Sequence, residues 1–380
     1  MTGDRMSKKK RLQKKLTREE RRQLRKKKRR KRIIVLVIEL IILAVLGVVA
    51  YGVFKLDKLD FNILDQNKLD VYKDTGPYTN IALFGLDSRE GELEGGVQSD
   101  TIMIASINNE TNDVKLVSVY RDTLLQQADG TYEKANSAYN TGGVEQAISL
   151  LNRNFDLDIQ NYASVNFNAL VDVIDLLGGI EVEMTAEEAF WCNGYAFETA
   201  QVTGKEMVQI KEEAGTQLLD GVHAVGYARI RYTDGNDFKR TERQRIVLEK
   251  VVEKAKSASF STLNKIIDQV FPQVSTSFSS TDLLGFAANA LNYNIVDTSG
   301  FPFEVTTSEN VLNHSGSYVV PIDFSSNVSR LHEYLFGEKD YTPSETVQQI
   351  DNDIVYLTGV DAGTAAVQSD FTESEDTGDE

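Results

Sequence analysis

The stretch T-I-M-I-A-S-I-N-N-E-T-N-D-V-K-L-V-S-V-Y, Thr101 to Tyr120, holds two apolar runs of strand length on either side of Asn-Asn-Glu-Thr-Asn. The runs are rich in Ile and Val and short enough to be strands, and the polar run between them is turn-forming. Together they predict a hairpin, so the sheet they enter contains antiparallel neighbours. Upstream, Asn80-Ile-Ala-Leu-Phe-Gly85 has the pattern of another buried strand. Downstream the period changes: helices are predicted over Val144 to Phe155 and Phe167 to Leu177, the second closed by Gly178-Gly179, and a further strand over Ile180 to Met184. Residues 185 to 217 read as a polar insertion. Helices at about Arg243 to Ala258, Ser261 to Phe271 and Thr281 to Leu291 follow, then short strands around Phe303 and Tyr318 to Ile322. Helices interleaved with strands and a hairpin predict a layered α/β/α domain with a central mixed β-sheet.

Charge divides the 380-residue chain sharply. Residues 1 to 32 hold 18 Lys and Arg against 3 Asp and Glu, with no periodic apolar face. Ile33 to Phe54 is apolar except for Glu39, long enough to cross a hydrocarbon layer of roughly 30 Å as a helix. The excess of cations before it places the basic arm in the cytoplasm and the rest of the chain outside, anchored to the cell membrane as a single-pass protein. The arm's charge alone fits nucleic acid, but a basic flank to a membrane helix is equally explained by topology and anionic headgroups, so no nucleic-acid partner is expected. The expected organisation is a cytoplasmic arm (1–32), a transmembrane helix (33–54), a stalk (55–77), an extracellular catalytic domain (78–345) and an acidic disordered tail (346–380). The single cysteine, Cys192, excludes an intrachain disulfide, and the three histidines lack metal-ligand spacing, so zinc and serine-hydrolase chemistry find little support.

Beyond residue 32 the chain has 23 Lys and Arg against 54 Asp and Glu, yet six of those cations fall between Ala228 and Arg245, A-R-I-R-Y-T-D-G-N-D-F-K-R-T-E-R-Q-R. Arg229 and Arg231 are two apart and share a face if the segment is a strand. Arg240 and Gln244 are four apart and share a stripe on a helix, and Asp237 stands where it can cap that helix. Guanidinium forks match phosphate oxygens bidentately, so the cluster points to a phosphate-bearing ligand. A solvated helix face with ion pairs such as Glu242 to Arg245 is the plainer alternative. Three more polar groups sit at strand ends, where ligands collect in open α/β sheets: Gly85-Leu-Asp-Ser-Arg89, Ser99-Asp-Thr101 and Tyr120-Arg-Asp-Thr123. Asp87 and Asp100 are candidate Mg²⁺ ligands, because that ion favours one or two carboxylates plus phosphate oxygens. Arg89 and Arg121 extend the phosphate clamp, and Lys134-Ala-Asn-Ser-Ala-Tyr139 offers a further anion-binding corner.

In order, N-I-A-L-F-G-L-D-S-R, S-D-T-I-M-I, V-K-L-V-S-V-Y-R-D-T, K-A-N-S-A-Y, V-D-V-I-D-L-L-G-G-I-E-V, L-D-G-V-H-A-V-G-Y-A-R-I-R and D-F-K-R-T-E-R-Q-R resemble the LytR-CpsA-Psr family of cell-wall ligases over about Tyr78 to Lys254. The resemblance implies transfer of a phosphoglycan, of teichoic acid or capsule type, from a polyprenyl-pyrophosphate carrier to peptidoglycan, with Mg²⁺ at the pyrophosphate. It places metal-binding carboxylates on Asp87 and Asp100, phosphate arginines on Arg89, Arg121, Arg229, Arg231 and Arg240, and the last polar contacts on Asp237 and Gln244. The family usually carries Pro before the Arg-Asp pair after the third strand, where Tyr120 stands here. Such transfer is positioning plus electrostatics, with Asp237 or Asp87 as the proton acceptor. The apolar helices at 144 to 155, 167 to 177 and 281 to 291 are candidates to line a groove for the polyprenyl tail. A pyrophosphatase or lipid-pyrophosphate binder shares the same site without glycan transfer, and a membrane-bound transcriptional regulator is the third reading.

Overall fold

Seven strands build the central sheet of the computed structural model, which describes residues 60–86, 96–233, 236–309, 311 and 316–367. The basic arm, the apolar run 33–54, Asp87 and Arg89 lie outside the described residues, as does the chain beyond 367. Strands β1 (Asp60–Phe61), β2 (Tyr78–Leu86), β3 (Ser99–Asn108) and β4 (Asp113–Val119) come first, then the small hairpin of β5 (Leu124–Gln126) and β6 (Tyr132–Lys134). Helix α1 (Ser137–Phe155), β7 (Asn161–Asn166), α2 (Phe167–Leu176) and β8 (Ile180–Met184) follow, then α3 (Ala186–Thr203), β9 (Gly215–Leu219), α4 (Gly221–Arg229) and α5 (Asn236–Lys256). The chain continues through α6 (Phe260–Gln269), β10 (Val274–Thr276), α7 (Ser280–Asn289), β11 (Asn294–Phe301), β12 (Val305–Glu309), β13 (Ser317–Pro321), α8 (Phe324–Phe336) and α9 (Glu345–Thr358). The sheet order is β1-β10-β7-β2-β3-β4-β11. β2, β3 and β4 form an antiparallel meander, with Ile107 opposite Val114 at the expected hairpin, whereas β7 lies parallel to β2 and β11 parallel to β4.

Alternation along these strands sends apolar side chains to both faces. Phe84, Ile102, Ile104, Val117 and Val119 pack on one side with Tyr139, Ile148, Leu151 and Phe155 of α1 and with α8 and α9. On the other side Ile81, Ala105, Ile107, Val114 and Leu116 meet Phe278, Leu248 and Phe286 from the α5 and α7 region. Helices thus cover both faces of a mixed sheet, the α/β/α layering expected. A separate cluster joins Ile180, Val182 and Leu219 of the antiparallel β8–β9 pair to Cys192, Ala224, Tyr227 and Val247. Here α3 and α4 run so close that a methyl group on Gly226 would lie 2.7 Å from the Ala196 backbone nitrogen. Gly226→Ala is therefore expected to cost about 1–3 kcal/mol by forcing the two helices apart, read as a lower denaturant midpoint at unchanged m-value.

Four expectations change. Residues 185 to 217 are not an irregular insertion: Thr185 and Glu188 form a reciprocal capping box that starts α3, and Gly204 in the left-handed conformation (φ 68°) ends it. The stretch 55–77 is not a free stalk from residue 60 onward, because β1 joins the sheet, Leu64 and Leu69 are buried, and Asp70 pairs with Arg153 at 2.6 Å. The fold continues past 345, since α9 buries Val347, Ile350 and Ile354 against the core. Helix α1 starts at Ser137 rather than Val144, with a kink at Gly142-Gly143 where Gly143 takes φ 66°.

Candidate active site

The ends of β2 and β3, the β7–α2 junction, α4 and α5 surround a cavity of about 460 Å³. Its walls are mostly apolar, among them Leu83, Met103, Val165, Leu170, Val225 and Val247. The polar lining comes chiefly from Asp100, Arg229, Arg231, Arg240 and Gln244. Of the helices expected to form a groove only α2 contributes to this lining, through Phe167 and Leu170; α3, through Tyr195, and α4 and α5 supply the rest of the helical wall. At the sheet end of the cavity the β2–β3 register slips between Gly85 and Leu86, an irregularity of the kind that re-aims side chains at sites. Gly85 also lies against Thr101, where a Cβ would come within 2.9 Å of the threonine side chain.

Asp100, next to the start of β3, accepts a hydrogen bond from Arg121 Nη1 at 2.6 Å, and its other oxygen lies 4.0 Å from Arg231 Nη2. Arg121 directly follows β4 and Tyr120 and also donates through Nε to Asp122 at 3.3 Å. Burial opposes the charge on Arg121, but Asp100, Asp122 and Asp237 outweigh it and raise its pKa. Lys134 is drawn to Asp122 at 2.9 Å and lies over the Tyr318 ring; it does not line the cavity.

Arg229 and Arg231 share the cavity, but not as neighbours on a strand. Asp220 caps α4 by accepting from the His223 backbone N–H, and Arg229 is the last residue of that helix. The Arg229 guanidinium sits 5.5 Å from the ring centres of both Phe167 and Tyr195, donates to Thr199 Oγ1 at 3.1 Å and lies 3.4 Å from Glu198. Arg231 lies beyond the helix end and is 42% exposed. Asp237 stands in the first turn of α5, and Arg240 and Gln244 share the predicted stripe facing the cavity.

Arg240 is the most unusual group. Its side chain is 3% exposed, Nη2 donates to Asp237 at 2.9 Å, and neither Nε nor Nη1 has a hydrogen-bond partner among the described residues. Burial, then Arg121 and Arg231, push its pKa down to about 10 against the pull of Asp237 and Asp100, so the group is fully cationic at neutral pH. A buried guanidinium with idle donors is costly unless a ligand completes it. Three arginines against one aspartate on the lining leave the cavity head cationic, so the arrangement fits an anion attached to an apolar chain.

Sequence reasoning missed the support of these groups. Arg243 does not line the cavity; it is 4% exposed and binds Glu188 at 2.9 Å through Nε, the Ile230 carbonyl at 3.2 Å through Nη1 and Thr233 Oγ1 at 2.6 Å through Nη2. It thereby fixes the link that presents Arg231. The Thr185-x-x-Glu188 spacing was the available signal, since Glu188 caps α3 with one oxygen and receives Arg243 with the other. Glu242 pairs with Lys239 at 2.6 Å.

A mixed sheet flanked by α4 and α5, with an apolar cavity headed by arginines, is the arrangement that fits an amphiphile with an anionic head. The chain belongs to the LytR-CpsA-Psr family: the LytR_cpsA_psr family model matches residues 52–329. It is 34% identical over 202 residues to the polyisoprenyl-teichoic acid–peptidoglycan teichoic acid transferase TagU of Halalkalibacterium halodurans, covering 52% of this chain and 60% of that protein. Against the similarly named TagV of Bacillus subtilis it is 26% identical over 269 residues, covering 70% of this chain and 65% of the relative. The match thus spans less than two thirds of these relatives' length. Among solved structures it resembles one from Enterococcus faecalis described as a transcriptional regulator, with a TM-score of 0.56 at 25% identity over 77% of this chain and 97% of the other.

Proposed function

We propose that this chain is a membrane-anchored phosphotransferase that moves a phosphoglycan from a polyprenyl-pyrophosphate carrier to peptidoglycan, its catalytic domain outside the cell membrane. The observation that carries the reading is Arg240, buried with two idle donors at the head of an apolar cavity. The names of TagU and TagV supply the glycan and acceptor classes. In this reading the polyprenyl tail lies between the sheet and α4–α5, and the pyrophosphate meets Arg229, Arg231, Arg240 and Arg121, with Gln244 and Arg89 adding polar contacts. A sugar hydroxyl of peptidoglycan attacks the glycan-bearing phosphorus. The new O–P bond forms as the bridging P–O bond to the carrier breaks, and polyprenyl phosphate leaves. Charge grows on that leaving phosphate, where fixed guanidinia stabilise it without reorganising. Asp237, or Asp87, takes the hydroxyl proton.

The residues also fit Mg²⁺. Asp100 brings one carboxylate to the cavity head and needs only phosphate oxygens, with or without Asp87, to meet that ion's preference. Bound there, the ion would neutralise charge on the phosphate oxygens. Asp100→Ala is expected to lower both turnover and its dependence on added Mg²⁺; undiminished wild-type turnover in excess chelator removes the metal from the scheme. The function itself is tested with the full chain in detergent, supplied with a lipid-pyrophosphate glycan and peptidoglycan. Phosphodiester-linked product supports the transferase, whereas release of the phosphoglycan to water alone identifies a pyrophosphatase.

A further inference from the structure

Helix α3 leaves large aromatic side chains in solvent beside the cavity mouth. Phe190 and Phe197 are 53% and 56% exposed, and Tyr232, on the Arg243-clamped link, is 66% exposed. Phe190 and Tyr232 are ordered against the partly buried rings of Trp191 and Tyr195. Tyr232 lies 4.9 Å from Trp191 and stacks on Tyr195 at 6.4 Å with 20° between the planes, while Phe190 meets Trp191 edge-on at 5.3 Å. Tyr195 and Tyr232 also line the cavity beside Arg229 and Arg231, so the shelf continues the site's wall outward.

The geometry points to a pyranose-binding shelf formed by Trp191, Tyr195 and Tyr232, which stacks a neutral sugar ring of a glycan next to the arginines. Three observations select this occupant. First, Tyr232 presents an exposed ring, and the electron-rich face of such a ring receives the C–H face of a pyranose. Second, α3 carries no Lys or Arg, its Glu188 and Glu198 are paired with Arg243 and Arg229, and its Glu187 is exposed, so the helix offers no cation to an anionic bilayer surface and tolerates an uncharged sugar. Third, an apolar chain has the apolar-walled cavity available, whereas an exposed shelf at its mouth borders the place where a sugar-bearing phosphate would sit. The glycan class rests on the transferase reading. The ring chemistry is shared by the donor's sugar and the acceptor's sugar.

Trp191 is the only tryptophan of the chain and lies in the shelf, so its emission reports binding without turnover. The full chain in detergent micelles is titrated with a β-1,4-linked N-acetylglucosamine tetrasaccharide, and the midpoint is read. A saturable change is expected, with the midpoint moved about tenfold by Tyr232→Leu and little by Tyr232→Phe, which keeps the ring. A thermal melt verifies that both variants fold. Wild type and Tyr232→Leu titrating alike, or a Trp191 response to anionic phospholipid vesicles but none to the tetrasaccharide, overturns the shelf. A normal titration in a chain that transfers nothing upholds the shelf and sinks the transferase reading. Kinetic assays then name the source: a raised KM for the peptidoglycan acceptor in Tyr232→Leu assigns the acceptor's sugar, and a raised KM for the lipid-linked donor assigns the donor's.

Discussion

Arg240→Met is expected to abolish most transfer while leaving the domain at least as stable as wild type. The arginine is buried and has two nitrogens without a partner among the described residues, so without a ligand its charge opposes folding, and an apolar side chain of similar length relieves that cost. Asp237 is not stranded by the change, because it is 24% exposed and reaches water. Turnover is another matter. Removing one fixed donor from a site that stabilises developing charge lowers kcat by about 10²–10³, or roughly 3–4 kcal/mol. Paired measurements of melting temperature and kcat check this. A variant with wild-type kcat, or one that fails to fold, contradicts the assignment of Arg240 to the ligand rather than to the core.

Arg243→Ala is expected to behave in the opposite way, losing stability first and activity as a consequence. Its guanidinium joins Glu188, the Ile230 carbonyl and Thr233, all in or near the shell that holds Arg231. Breaking a buried pair by removing one partner costs about 3–5 kcal/mol, because the other charge stays behind. Denaturant unfolding measures that loss, and kcat/KM falls with it as the Arg231 link loosens. Arg243→Lys restores the charge but not the planar fork and is expected to recover only part of either property. Arg245→Ala is the control: that side chain is buried but does not line the cavity, so catalysis per folded molecule is expected to stay near wild type.

The strand meander was legible in the sequence because both faces of β2, β3 and β4 are buried, which leaves long apolar runs punctuated by a polar turn. The Arg240–Gln244 spacing was legible for the same kind of reason, a helical period with one functional face. The two-residue spacing of Arg229 and Arg231 suits a strand, yet Arg229 ends a helix and Arg231 follows it. The Asp220 cap and the small residues favour a helix packed tightly on its neighbours, Gly221 against Val171 of α2 and Gly226 against Ala196 of α3, a tertiary preference that local pattern does not reveal. The polar look of α3 has a similar origin, since it shows aromatic rings and glutamates to solvent and buries only small side chains such as Ala189, Cys192 and Ala196. The continuation past 345 was hidden by composition: three aliphatic residues one or two turns apart suffice to seat α9 within an otherwise polar stretch.

The sheet's outer strands carry a consequence for how the chain is made. β1 pairs with β10, where Asp60 lies opposite Ser275, and β4 waits for β11, where Asp113 lies opposite Asn294. A chain synthesised from its N-terminus therefore exposes the flank of β4 until most of the domain has emerged, and closing such distant pairs is slow. During that interval the meander is an open template for strands of other molecules. Full-length synthesis, rather than the intrinsic strength of the core, then sets the window in which this protein is vulnerable to misassembly.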